Sequence, residues 1–202
     1  HWSNITYDVS WNIILFLIIG VLLVGSFSVG AAGGYFASLV KDTKAPKLAE
    51  MKQQVNSYAI TSEIYWGSGE KLTNIATDEE RQPVNIKEIS PYLLDAVLST
   101  EDVDFYEHDG IVPKATLRAV LQELTNSSSR TGGSTLTQQL IKNQILTNEV
   151  SFERKAKEII LALRLENAMT KDEILQAYLN VVSFGRNSLG RNIAGIEAAS
   201  RG

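Results

Sequence analysis

The sequence contains no cysteine, which excludes disulfides and any thiolate zinc site. Histidine is nearly absent too: with only His1 and His108, no multi-histidine metal centre can be built. A basic stripe is also lacking. Nineteen Lys and Arg stand against 23 Asp and Glu, for a formal net charge of -4. No segment carries the run of cations that binding a phosphate backbone requires, so nucleic acid is excluded as a main partner. There is no internal repeat and no long low-complexity tract.

The most informative absence is local. From Val9 to Val40, 32 consecutive residues carry no charge. As a helix this run would cover about 48 Å, more than the ~30 Å hydrocarbon core of a bilayer. Trp11 at one end and Tyr35-Phe36 near the other suit interfacial anchoring. Residues 11–40 are therefore assigned to a transmembrane segment, with the helix at 12–38 and a Gly/Ala-rich outer end. A signal peptide fits less well: the apolar core is too long, and Ala31-Ala32-Gly33 is a poor cleavage site. Lys41, Lys44 and Lys47 lie just after the helix, and the positive-inside rule alone would place the C-terminal domain in the cytoplasm. The chain opens on His1 rather than methionine and reads as a fragment, with residues 1–10 as a flank.

Residues 41–80 read as a connector. Lys47 to Tyr58 suits a short polar helix, and Glu63 to Leu72 suits two strand-like runs around Gly67-Ser68-Gly69. That is the only β signal in the chain. From Ser90 the pattern is helical, so the fold class is mainly α, with 81–202 as the principal domain.

Within that domain, Glu101-Asp102-Val103-Asp104-Phe105-Tyr106-Glu107-His108-Asp109-Gly110 gathers carboxylates, an imidazole and aromatic rings directly after an apolar helix. Ser90-Pro91 starts the helix, and Leu94, Val97 and Leu98 mark its inner stripe. Glu101 takes the next position on that stripe. Burial there, and the negative end of the helix dipole, would disfavour its charged form and make it a usable base. Pro113 to Leu124 forms another helix, striped by Leu117, Val120, Leu121 and Leu124. The polar run Asn126–Gly133 then suits a mobile, substrate-handling loop.

Gly132-Gly133-Ser134-Thr135 leads into a helix whose capping box is Thr135 with Gln138. Backbone N–H groups at such a terminus suit an anion, and Ser134, Thr135, Gln138 and Gln139 add hydroxyls and amides. Ser151 caps the next helix, with Phe152, Ala156, Ile159, Ile160 and Leu163 on its apolar face. Arg154, Lys157 and Glu158 lie together on the opposite face, either as a solvated ion pair or as a cationic clamp beside a carboxylate. Thr170 with Glu173 caps a further helix that runs to Tyr178-Leu179-Asn180.

Together these stretches resemble the peptidoglycan glycosyltransferases, the lysozyme-like domains of class A penicillin-binding proteins and of monofunctional transglycosylases. Glu101-Asp102-x-x-Phe105-x-x-His108-x-Gly110 is similar to the first signature of that family. Gly132-Gly133-Ser134-Thr135-x-Thr137-Gln138-Gln139-x-x-Lys142-Asn143 is similar to the second, Arg154-Lys155-x-Lys157-Glu158 to the third, and Ile174-Leu175-x-x-Tyr178-Leu179-Asn180 to the fourth. The resemblance runs from about Glu63 onward. It breaks off in a stretch similar to the start of a fifth motif, Gly190 to Ala199, so the C-terminal end of the domain is expected to be missing.

The resemblance implies a lysozyme-like fold and polymerisation of lipid II on a growing glycan chain, with inversion and release of undecaprenyl diphosphate. Glu101 would be the general base, and Glu158 the second carboxylate, near the donor diphosphate. Lys142, Arg154 and Lys157 would balance the leaving group. Ser134, Thr135, Gln138, Gln139 and Asn180 would position substrate, and His108 and Arg118 would shape the site. The resemblance allows a divalent cation, Mg or Mn, at the diphosphate, but no sequence feature specifies a metal cage. It places a single-pass protein in the bacterial cell membrane with its domain outside, against the lysine signal, among cell-wall synthesis and division proteins. A membrane-anchored lysozyme-like glycan hydrolase is the alternative; it would share the helices and a catalytic glutamate but need no cationic clamp. A membrane adaptor without activity is a further alternative.

Overall fold

A computed structural model describes residues 2–41, 46–58, 62–75, 79–124, 132–146, 151–188 and 190–201. Most of the polar loop at Asn126–Gly133 lies outside the described residues. The chain divides into two units, His1–Thr43 and Lys44–Gly202.

The first unit is one helix, α1 (Trp2–Lys41), longer at both ends than the uncharged run alone implies. The first proline in the chain is Pro46, so nothing breaks the backbone ladder earlier. Val9–Ser38 is long and apolar enough to cross a membrane, and its side chains are exposed nearly all round.

The second unit is mainly helical. It comprises α2 (Leu48–Val55), a hairpin of β1 (Glu63–Tyr65) and β2 (Lys71–Asn74), β3 (Glu79–Arg81), a 3-10 turn at Ile86–Glu88, α3 (Pro91–Glu101) and α4 (Pro113–Leu124). Then come α5 (Leu136–Gln144), α6 (Phe152–Glu166), α7 (Lys171–Val181), β4 (Ser183–Arg186), β5 (Asn192–Ala194) and α8 (Ile196–Arg201). The expected caps form. Thr135 and Thr170 each close a capping box, with Gln138 and Glu173, and the Ser151 hydroxyl accepts from Arg154 N–H. Ser90 precedes Pro91 as expected, but its side chain makes no cap bond.

The centre is α5. It packs against α6 and α7, and α2 lies across α5 and α6. Leu136, Leu140 and Ile141 of α5 are fully buried with Phe105, Leu161, Leu165, Leu175 and Leu179. Each such side chain contributes about 1.5–3 kcal/mol by leaving water. The short helix of the connector joins this core, because Met51 and Val55 are fully buried in it.

Three sequence expectations are corrected by the fold. The buried arc of α6 holds Ala156, Glu158, Ile159, Leu161, Ala162 and Leu165, while Ile160 and Leu163 are only half-buried. The helix is packed by both α5 and α2, so its inner face is broader than one stripe and includes Glu158. Leu117, expected to be a core residue, is 61% exposed. A Cβ on Gly133 would come within 3.3 Å of the Ala115 carbonyl oxygen, so α4 approaches that glycine through its small residue. Finally, β3, β5 and β4 form a three-stranded sheet in that order, with β3 parallel and β4 antiparallel to β5. The sequence shows no sign of it because strands of three and four residues are too short to display alternation.

Candidate active site

The first acidic motif closes α3 and turns back onto α5. Glu101 is the last residue of α3, and the chain leaves the helix at Asp102. Tight turns come next, with Phe105 N–H donating to the Asp102 carbonyl and Glu107 N–H to that of Asp104. Phe105 then enters the core. Gly110 ends the motif at φ +86°, where a Cβ would meet Glu166 Cγ at 2.8 Å and the Ala162 carbonyl oxygen at 3.0 Å. Only glycine fits there without displacing α6.

These turns separate the two adjacent carboxylates. Asp102 points inward and accepts from Leu136 N–H at 2.9 Å, at the first turn of α5. His108 Nε2 lies 3.0 Å from both Asp102 oxygens. His108 Nδ1 accepts from Gly110 N–H at 3.1 Å, so the ring proton sits on Nε2 and is donated to Asp102. The α5 N-terminus therefore does hold an anion, but it is the protein's own. Leu136 N–H serves Asp102 and Gln138 N–H serves Thr135 Oγ1, so both donors are taken up within the protein.

Glu101 points outward. It is exposed, so the burial anticipated from the apolar stripe is absent. Gln139 Nε2 of α5 donates to Glu101 Oε2 at 3.0 Å, and the same amide nitrogen lies 3.5 Å from the Ser134 carbonyl oxygen. Tyr178 of α7 donates its hydroxyl to Gln139 Oε1 at 3.3 Å. Burial, and then the charge of Glu101, push the Tyr178 phenol up to about 12, so it remains a donor at neutral pH.

The second carboxylate is the buried one. Glu158 is 2% exposed; Arg154 Nη1 donates to its Oε2 at 2.8 Å, and Lys155 Nζ is hydrogen-bonded to its Oε1. Lys155 Nζ also donates to Ser134 Oγ at 2.9 Å. Lys157, expected beside Glu158, instead pairs with Glu153 at 2.6 Å at the surface. Lys155 is the cation that the spacing argument passed over. Its i+3 relation to Glu158 was visible in the sequence, but the arc that α6 buries was not.

An unbroken chain of contacts therefore runs Glu101–Gln139–Ser134–Lys155–Glu158–Arg154. It joins an exposed carboxylate, free to meet a substrate hydroxyl, to a charged cluster. Arg154 and Lys155 supply two positive charges against one negative charge on Glu158, leaving one net positive charge beside Ser134. Lys142 on α5 and Arg118 on α4 are exposed.

Other residues expected to touch substrate are engaged within the protein. Thr135 Oγ1 donates to the Gly110 carbonyl at 2.6 Å, and Gln138 is fully buried with its Oε1 accepting from Thr135 N–H. Asn180 is 2% exposed and joins α7 to Val84 through both ends of its amide, at 2.8 and 3.0 Å. These three secure the walls of the site. His108 is bonded to Asp102 and so braces the turn that follows Glu101. A further lock comes from Lys171, whose Nζ donates to the His108 carbonyl at 2.5 Å and pairs with Glu166 at 2.9 Å. Among the described residues, no three His, Asp or Glu side chains are gathered to hold a metal ion.

The family model described as Transglycosylase matches residues 68–202, which takes in every element from the hairpin turn to α8. The chain belongs to the transglycosylase family. Penicillin-binding protein 1A of Clostridium perfringens (strain 13 / Type A) is 39% identical over 196 residues, 95% of this chain and 28% of that protein. Penicillin-binding protein 1A of Pseudomonas aeruginosa is 37% identical over 191 residues, 95% of this chain and 21% of that protein. Penicillin-binding protein 1F of Bacillus subtilis is 41% identical over 140 residues, 69% of this chain and 19% of that protein. The chain thus spans between 19 and 28% of the length of these relatives. As a transglycosylase domain it carries the two glutamates on separate elements, α3 and α6, with α5 between them in the hydrogen-bond chain.

Proposed function

We propose that this protein is a membrane-anchored peptidoglycan glycosyltransferase that polymerises lipid II into β-1,4 glycan strands. One observation carries the reading: two glutamates in opposite environments joined by one hydrogen-bonded chain. Glu101 is exposed and acts as base; Glu158 is buried and bonded to two cations. In the reaction, Glu101 takes the proton of the acceptor 4-hydroxyl. The oxygen attacks the anomeric carbon of the donor from the face opposite the leaving group. The bond from that carbon to the diphosphate breaks, and the electron pair departs with undecaprenyl diphosphate. Arg154 and Lys155 stabilise the charge that develops on that diphosphate, and Glu158 holds both cations in place.

Ser134 and Gln139 stand at the junction of the two halves, the serine bonded to Lys155 and the glutamine to Glu101. A Mg or Mn ion belongs to this proposal only as a counter-ion travelling with the diphosphate, and no step is routed through it. The apolar helix supports anchoring in a membrane, and the proposed reaction puts the domain on the outer side of the bacterial cell membrane, where a lipid-linked substrate is presented. Cell-wall synthesis and division proteins would be its partners there.

Incorporation of labelled lipid II into polymer by the membrane-anchored protein, wild type beside Glu101→Gln, tests the reading. Polymer from the wild type and none from the variant is the expected result. Cleavage of purified sacculi without any polymer formation would make the protein a hydrolase instead.

A further inference from the structure

Tyr178 and Gln139 have a geometry that the reaction above does not use. A glutamine amide has an acceptor end and a donor end, and what each end meets decides which way it points. Here the donor end faces two acceptors, Glu101 Oε2 at 3.0 Å and the Ser134 carbonyl at 3.5 Å. The acceptor end faces the Tyr178 hydroxyl at 3.3 Å. Rotating the amide by half a turn would set its oxygen against a carboxylate and a carbonyl. Tyr178 is 3% exposed on α7, so its ring is held by the core and its hydroxyl cannot wander. The three residues come from three different helices: α3, α5 and α7.

We infer that Tyr178 is a positioning residue for the base: by holding the acceptor end of Gln139, it keeps an N–H donor on the Glu101 carboxylate. The inference rests on the proposed glycosyl transfer for its kinetic consequence, though not for the contact itself. In the resting site the amide N–H is aimed at the carboxylate oxygen, Glu101 Oε2, of the group proposed to accept the proton. Once Glu101 has taken the acceptor proton it can itself donate. The Ser134 carbonyl and the Tyr178 hydroxyl still hold the amide in the same orientation at that point. The other charged groups nearby do not substitute for this contact. Asp102 is turned inward to Leu136 N–H and His108, Lys155 is engaged by Glu158 and Ser134, and Arg154 is engaged by Glu158.

The test compares wild type, Tyr178→Phe, Gln139→Met and the double variant in the full membrane-anchored protein. Lipid II polymerisation is followed across pH. Loss of one orienting hydrogen bond should lower kcat about 3- to 10-fold while KM changes less than about twofold. The acid limb of the pH profile should move upward, because a donor to the carboxylate is lost. Adding Tyr178→Phe to Gln139→Met should have no further effect, since the hydroxyl acts only through the amide. Additive losses, or an unmoved acid limb in Tyr178→Phe, would overturn the inference. Gln139→Met preserves side-chain length and carries the test if Tyr178→Phe fails to fold. A carbon-13 titration of the Glu101 carboxyl reads the contact without turnover. A displaced titration in Tyr178→Phe with no polymer from wild type would keep the positioning and discard the reaction. An unchanged titration with active wild type would do the reverse.

Discussion

Replacing Glu158 by glutamine separates the two carboxylates more sharply than any change at Glu101. The substitution preserves shape, so packing in the arc of Ala156, Ile159 and Ala162 is unaltered. What disappears is the one negative charge that, among the described residues, is bonded to Arg154 and Lys155, whose side chains are 15 and 20% exposed. Breaking a buried ion pair by removing one partner costs about 3–5 kcal/mol. Two features reduce that figure here. The cations retain some access to water, and the amide oxygen can still accept one of the two hydrogen bonds, so a loss of about 2–3 kcal/mol is expected. For a unit of this size that corresponds to a fall of roughly 5–10 °C in Tm. Thermal unfolding in matched detergent, read beside lipid II turnover, is the assay. Glu158→Gln should lose both stability and activity. The triple variant Arg154→Met, Lys155→Met, Glu158→Leu should recover most of the stability, because apolar residues can replace a buried ionic cluster without loss, yet remain inactive. Unchanged Tm in Glu158→Gln would refute the argument, since it would mean that the cations never depended on this carboxylate.

Glu101→Gln should abolish polymerisation with a stability change within about 0.5 kcal/mol, because the side chain is exposed; a large fall in Tm would show that the group is structural. Lys155→Ala should reduce turnover far more than Lys157→Ala, whose partner is the exposed Glu153, and equal losses would contradict the pairing. Asn180→Ala should cost about 1–3 kcal/mol by leaving the Val84 amide unpaired, measured by denaturant unfolding, with KM little altered in whatever remains folded. Tyr178 makes alkaline stability asymmetric. Its folded pKa of about 12 lies above the unfolded value of about 10, so its contribution is complete below pH 10 and is lost as pH rises to 12. Tyr178→Phe should flatten that part of the stability profile.

The helices and their starts were legible because the signals that set them are local. Thr135 with Gln138 and Thr170 with Glu173 cap their helices within four residues, and the uncharged run to Val40 needs no tertiary partner to be read. The three-stranded sheet was not legible. Its strands are short and polar, and β3 is joined to β5 across more than a hundred residues, so no window of sequence contains the pairing that makes them strands.

The site divides along the same line. Glu101 and Glu158 could be singled out from their motifs, but the surroundings of each were read in the wrong sense. Extrapolating the α3 stripe placed Glu101 in the core, whereas the helix ends at that residue and the turn sends Asp102 inward in its place. On α6 a single stripe set Glu158 on the polar face with Lys157. The arc buried by two neighbours, α5 and α2, is wider than one stripe and takes in Glu158. Once Glu158 is inside, only cations at the edge of that arc can reach it. Arg154 four residues earlier and Lys155 three residues earlier lie on that edge, whereas Lys157, one residue away, projects to a different side and finds Glu153. Helical spacing determines which residues share a face. Which face is buried depends on the neighbouring helices, and that is why the clamp was visible in kind but misassigned by one lysine.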